Sequence, residues 1–126
     1  MAALGPGPAL SFRDTLARHL EAIRNRDLDA LAATVAPDEL VLITAEGRLK
    51  RSAREFLDAH REWFEMKGWT LEASIETIHE TAELGVAVLR LLYTEPGVSQ
   101  ASLLTLIFEK RGDRWLMVLD QNTPTR

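Results

Sequence analysis

Hydrophobic residues recur at helical spacing in three stretches of the chain. Phe12, Leu16, Leu20 and Ile23 follow Ser11, which has Asp14 three residues on, and this predicts a first helix from 12 to 25. Asp27 caps a second, shorter helix with the stripe Leu28, Leu31 and Val35, and Pro37 forbids its continuation because its ring removes a donor and crowds the preceding turn. The third signal is the best defined. Ser52 and Glu55 form a capping box, Phe56, His60, Trp63 and Phe64 share one helical face, and Gly68 suits the C-terminal cap. Between the second and third helices, Glu39 to Thr44 reads as a strand, followed by a turn at Glu46-Gly47 and a basic return from Arg48 to Arg51.

From Trp69 onward the period changes to two. Trp69, Leu71, Ala73, Ile75 and Thr77 fall on one side, with Thr70, Glu72, Ser74 and Glu76 on the other. Val86 to Tyr93, Ala101 to Phe108 and Trp115 to Leu119 are apolar at nearly every position, so both faces of those strands need cover. Leu84-Gly85, Pro96-Gly97 and Gly112-Asp113 separate the runs by connections short enough for antiparallel neighbours, which predicts a four-stranded meander. Strands this long twist and coil, so the sheet should curl into a trough that three helices fill. Its outer face would then carry an apolar patch over three adjacent strands. A homodimer packed sheet against sheet covers that patch; the alternative is a monomer whose outer face is merely less polar than average.

The 126 residues amount to about one domain, with 1–10 expected as a disordered lead-in and 11–126 as one folded unit. A net charge of -4 and the lack of any long Lys/Arg run argue against nucleic acid as a partner. With no cysteine, thiolate nucleophiles and Cys-ligated metals are excluded, and a reducing, cytoplasmic setting fits. No apolar run approaches the ~18 residues of a membrane span, and the first ten residues lack the basic and apolar regions of a signal peptide.

Local wording now becomes informative. The stretch from Arg26 to Ala33 followed by Ala36-Pro37-Asp38, then Glu55-Phe56-Leu57, and above all Trp115-Leu116-Met117-Val118-Leu119-Asp120-Gln121-Asn122-Thr123-Pro124, resemble the NTF2-like (cystatin-like, SnoaL-like) superfamily. The last strand resembles the subgroup called DUF4440 or YybH-like, although many relatives carry histidine where this chain has Leu119 and Gln121. The resemblance spans about residues 11 to 123 and implies an α+β cone: three helices from the N-terminal half packed on a strongly curved, mostly antiparallel sheet. It also implies a cavity between the third helix and the concave sheet, and usually a dimer. Isomerases, cyclases, dehydratases and non-catalytic binding proteins all use this fold, so the likeness alone chooses no activity.

Several residues could carry chemistry. His60 lies inside the Phe56, Trp63 and Phe64 stripe, where an imidazole acts as acid, base or ligand anchor, or simply as a core residue with one hydrogen bond. His79 falls near a strand end and His19 on a helix flank, both expected at the surface. The three histidines lack metal-type spacing, so neither a metal nor a cofactor is expected. Arg90 interrupts an apolar parity set and would pair with Asp120 or meet an anionic ligand. Asp120 could instead be a general base, since desolvation raises a carboxyl pKa. Gln121 and Asn122 have opposite parities, so one of them faces inward. Tyr93, the sole tyrosine, could polarise a carbonyl as in steroid-isomerase-like relatives, but the acid those enzymes need near the end of the first strand is replaced by Ile43-Thr44-Ala45, with Glu46 beyond in a turn.

The expectation is therefore a homodimer that binds a small, largely apolar molecule in a pocket lined by Phe56, His60, Trp63, Arg90 and Asp120. The alternative is an isomerase, dehydratase or cyclase in which Asp120 or His60 moves a proton while Tyr93 or Arg90 holds the developing oxyanion. A third possibility is an accessory dimerisation module with a vestigial cavity.

Overall fold

Four long strands supply most of the architecture: β3 (Thr70–Glu80), β4 (Leu84–Glu95), β5 (Val98–Arg111) and β6 (Arg114–Pro124). They pair antiparallel in chain order, as the turn signals predict. The computed structural model describes residues 10–125, so the lead-in expected over 1–10 lies, apart from Leu10, outside the described residues. Ahead of these strands come α1 (Phe12–Arg24), α2 (Leu28–Ala32), β1 (Val41–Ile43), β2 (Leu49–Lys50) and α3 (Ala53–Glu65). β1 joins the free side of β6 in parallel and β2 folds back on β1, completing an open, curved sheet of order β2-β1-β6-β5-β4-β3.

Capping residues set the helix starts. Ser11 accepts from the Asp14 N–H and returns its own N–H to the Asp14 carboxylate, closing both halves of the box. In α3, Ser52 accepts from the Glu55 N–H at 3.1 Å, while the Glu55 carboxylate takes the N–H of Arg51 at 3.0 Å, one residue before the cap. The helix ends: Met66 is its C-terminal cap, so Gly68, with φ +85°, serves the turn into β3 instead of the cap expected of it. α2 is shorter than its apolar stripe suggests. Thr34 and Val35 leave the helix because the main chain of Thr34 and Ala36 pairs with Met117 on β6.

One inserted residue changes a face assignment. A bulge between Ile75 and Thr77 turns Thr77 and His79 outward, opposite Val88 and Val86, and brings Ile78 inward opposite Ala87. The expected alternation through Ile75 and Thr77 therefore breaks at Glu76. On β4 the buried set is Gly85, Ala87, Leu89 and Leu91, and the outer set is Val86, Val88, Arg90 and Leu92.

Phe12 anchors the closed end of the trough. Its ring lies 5.5 Å from that of Phe108 and 5.6 Å from that of Trp115, and flat against Gly85, where an added Cβ would stand 2.5 Å from a ring atom. Leu16, His19 and Ile23 continue the α1 face that Phe12 begins. His19 corrects the sequence reading: it is fully buried, because it sits between Leu16 and Ile23 on the core stripe. The Thr34 hydroxyl donates to the Leu31 carbonyl at 2.7 Å and accepts from His19 Nδ1 at 2.8 Å, which leaves Nε2 enclosed without a partner. Burial, with a smaller contribution from His60, lowers the His19 pKa to about 3.

The Phe12 and Gly85 contact gives a direct test. Gly85→Ala should destabilise the fold by about 1–3 kcal/mol, the usual cost of overpacking a core, read as a lower midpoint in urea unfolding with an unchanged slope. The double variant Phe12→Leu, Gly85→Ala should recover part of the loss; an unaffected single variant would show that the ring does not rest on Gly85.

Candidate functional site

α3 fills the trough along only half of its length. Ala53 and Phe56 are buried, whereas His60, Trp63 and Phe64, one to two turns on, are half-buried. Beneath them the strands run on without a helix to fill the space, leaving a cavity of about 630 Å³. His60 and Trp63 form its roof with Ile23 of α1, and Leu71, Leu91, Tyr93, Leu104 and Asp120 form its floor and walls. The exposed Glu46, Met66, Gln100 and Pro124 also line it and mark the mouth.

Asp120 stands on β6 opposite Leu106 of β5 and Leu42 of β1, both buried, so the ladder turns its carboxyl inward. It is 4 % exposed. Asn122, two residues along the same face, donates its amide N–H to one carboxyl oxygen at 3.0 Å. Among the described residues no Lys or Arg pairs with Asp120, and uncompensated burial pushes its pKa up to about 7. The expected Arg90 partner is elsewhere. Arg90 occupies the outer face of β4 and its guanidinium donates to Glu76 at 3.2 and 3.3 Å, because the inward set of that strand is Ala87, Leu89, Leu91 and Tyr93, not Val86, Val88, Arg90 and Leu92. Arg90 thus does not line the cavity. The Gln121 and Asn122 alternative resolves with Asn122 inside and Gln121 exposed.

His60 donates from Nδ1 to the Phe56 carbonyl at 2.8 Å, which leaves Nε2 as an acceptor. Its ring centroid lies 4.0 Å from that of Phe56, the two planes tilted by 32°, and it meets Trp63 edge-on. Desolvation lowers its pKa, opposed by the bond to Phe56, so the ring is neutral near pH 7. Phe56 itself lies beneath His60 in the core: it positions the imidazole and is not part of the lining, contrary to expectation. The Tyr93 hydroxyl donates to Glu95 at 3.0 Å, and burial together with Glu95 raises its pKa.

The aromatic wall is tied from outside. Trp69 stacks on Trp63 at 4.2 Å, its indole N–H donates to the Trp63 carbonyl, and the Arg26 guanidinium sits 3.8 Å from its ring centroid. Arg26 takes φ 55°, a left-handed position usually given to glycine, and donates to the Trp69 carbonyl at 2.7 Å. Ser102 and Glu95 escaped the sequence reading. Strand parity counted from buried Leu104 and Leu91 would have found Ser102 and Glu95. Among the described residues no group of three His, Asp or Glu is placed to hold a metal, and no helix is long and apolar enough to cross a membrane.

Asp120 leaves a pH signature in stability. The folded state keeps a proton up to about pH 7 that the unfolded state releases near 3.8, so stability present at low pH declines as pH rises through that window. Relative to wild type, Asp120→Asn should gain on the order of a few kcal/mol more at about pH 8 than at about pH 5 in urea unfolding. His19, whose folded pKa is lowered, acts with the opposite sign below 6.5, but it is common to both proteins and cancels in the difference. Equal increments at the two pH values would mean that Asp120 ionises as an exposed carboxyl does.

Comparison with known proteins places this geometry. A putative calcium/calmodulin-dependent protein kinase type II association domain from Thiobacillus denitrificans is similar over 96% of this chain and 100% of its own, with TM-score 0.82 and 18% identity. An NTF-2 like protein of unknown function from Shewanella oneidensis shares 25% identity, covering 86% of this chain and 93% of its own at TM-score 0.73. A ketosteroid isomerase-like protein from Erwinia carotovora is 16% identical over 90% of this chain and 93% of its own, at TM-score 0.75. No curated protein sequence matches. The sequence pattern of the SnoaL-like domain matches residues 13–121, and the DUF4440-like placement suggested by the last strand is not part of that match. With that match over most of its length and the cone-shaped fold around Asp120, the chain belongs to the SnoaL-like domain family of the NTF2-like superfamily.

Proposed function

We propose that the protein binds a small, largely apolar molecule in the cavity between α3 and the concave sheet, and does so as a homodimer joined through the outer sheet face. The observation that carries the first part is a hollow of about 630 Å³ with aromatic walls, on which a carboxyl, an amide and an imidazole open from Asp120, Asn122 and His60. Mostly apolar cavities with a few convergent polar groups are the usual form of small-molecule sites. For the dimer, the support is the row Val86, Ile107, Leu119 and Val41, which the strand registers set side by side on the outer face, each half-buried in the single chain. A chain without cysteine suits a cytoplasmic setting.

A second reading has one specific observation in its favour. A carboxyl with a pKa of about 7 inside a cavity is matched to proton transfer near neutral pH, so Asp120 could move a proton beside a carbonyl, with neutral His60 as a second acceptor and Tyr93 toward the mouth. The ketosteroid isomerase-like neighbour lends this reading a fold precedent and nothing finer.

Thermal shift against steroids, polyketide-like aromatics and small acids tests the binding reading. A true ligand should raise the wild-type melting temperature and lose most of that shift with His60→Ala; equal shifts would remove His60 from the site. Solvent-deuterium exchange next to the carbonyl of a bound ketone tests the catalytic reading: exchange should be present in wild type and lost in Asp120→Asn. Sedimentation at micromolar concentration should give a dimer that Ile107→Glu dissociates with the fold intact, and a monomeric wild type would overturn the interface.

A further inference from the structure

We infer that the molecule taken into this cavity carries a protonated amine, recognised by Asp120 and the surrounding aromatic rings. This deepens the binding reading and rests on it. The first support is the sign of the charged groups. Among the described residues, Glu46, Glu95 and Asp120 line the cavity and no lysine or arginine does. Arg90 faces the other side of the sheet, and Arg26 lies against Trp69, outside the lining.

The second support is the state of Asp120. Asn122 holds one of its oxygens, and the other has no protein partner among the described residues although the residue is 4 % exposed. A buried carboxylate is costly without a counter-charge, and the described residues supply none. An ammonium group would complete the pair through a charge-assisted hydrogen bond. A ligand carboxylate or phosphate would bring a second negative charge to a floor that already carries one. A neutral ligand would leave Asp120 holding its own proton near pH 7.

The third support is the wall. Trp63, Tyr93 and His60 present aromatic surfaces around the same hollow, and ring faces attract cations most strongly where water is excluded. Glu46 and Glu95 toward the mouth add a field that draws cations inward. The ligand class is thus an apolar or aromatic body ending in a basic nitrogen. The only bond broken on binding is the carboxyl O–H of Asp120, whose proton passes to water or buffer as the ammonium ion arrives and pairs with the carboxylate.

The titratable side chains that share the cavity with Asp120 are His60 from α3, Glu46 beyond β1, and Tyr93 and Glu95 from β4, while His19 of α1 lies at the closed end of the trough; β5 faces Asp120 with Leu106 and lines the cavity with Leu104. Both histidines are held neutral and Tyr93 is raised, so proton release near neutral pH reports Asp120.

Isothermal titration of the full chain with three matched probes tests the inference: phenylbutylamine, phenylbutanol and phenylbutanoate. At about pH 8 the amine should bind at least ~10-fold tighter than the alcohol, with the carboxylate weakest, and the amine advantage should shrink several-fold at about pH 5. Asp120→Asn should abolish the amine preference and keep the affinity for the alcohol. Should that variant not fold, the wild type alone still decides: enthalpies in buffers of different ionisation heat should show proton release near neutral pH with the amine and none with the alcohol. An alcohol or carboxylate that binds as tightly as the amine, an amine preference that survives Asp120→Asn, or amine binding without proton release overturns the inference and leaves the pocket standing. No heat from any of the three probes overturns the pocket reading and the amine with it.

Discussion

The strands of this protein are longer than the helices that cover them. β4, β5 and β6 run 12, 14 and 11 residues at about 3.4 Å per residue, while the 13 residues of α3 rise only about 1.5 Å each and bury only Ala53 and Phe56. Apolar side chains from α1 and the first turn of α3 close one end of the trough around Phe12, Phe108 and Trp115. Past Phe56 nothing of sufficient bulk reaches the sheet, and a hollow remains where a shorter sheet would have had solvent. The cavity is therefore a product of unequal element lengths and not of a missing side chain. The bulge at Glu76, and a second at Val118 where the pairing steps from Leu119 opposite Ile107 to Met117 opposite Phe108, sharpen the effect, because each adds local twist to a strand that is already coiled.

Two buried titratable groups show how differently the two ends are used. At the closed end His19 is packed among phenyl rings with one hydrogen bond, and its neutral form is the only one the core tolerates. At the open end Asp120 has the help of a single amide and a cavity instead of a packed neighbour. The first is a structural histidine whose cost appears in acid. The second keeps its carboxyl near the midpoint of titration at neutral pH, a poise that packing alone would not require.

Much of the architecture was written plainly in the chain. Ser11, Asp27 and Ser52 cap their helices as their spacing suggests, and Pro96-Gly97 and Gly112-Asp113 turn between strands where expected, whereas Leu84-Gly85 lies inside β4 and the turn before it falls on Thr81 to Glu83. The site was legible in part. His60, Trp63 and Asp120 line one cavity, but Arg90 faced the wrong way because both parity sets of β4 are almost wholly apolar, so the strand offers no polar side from which to choose. Register with β5 decides it, and register is a long-range property. The bulge at Glu76 is invisible for the same reason: no glycine marks it, and the alternation on either side looks continuous. His19 was a different kind of miss. Its spacing from Leu16 and Ile23 already placed it on the core stripe, and only its polarity argued otherwise.

Arg26, Trp69 and Trp63 form a layered stack that runs from the α1–α2 turn to the cavity roof. Two of the three tryptophans in the chain thus lie nearly face to face, 20° from parallel, while Trp115 packs at the opposite end of the trough. Indole transitions at that separation couple excitonically, so the near-ultraviolet circular dichroism should be dominated by this pair and not by the chain average. The protein carries an optical gauge built into its own wall, one that responds to any guest wedged beside Trp63 while Trp115 serves as an undisturbed internal reference.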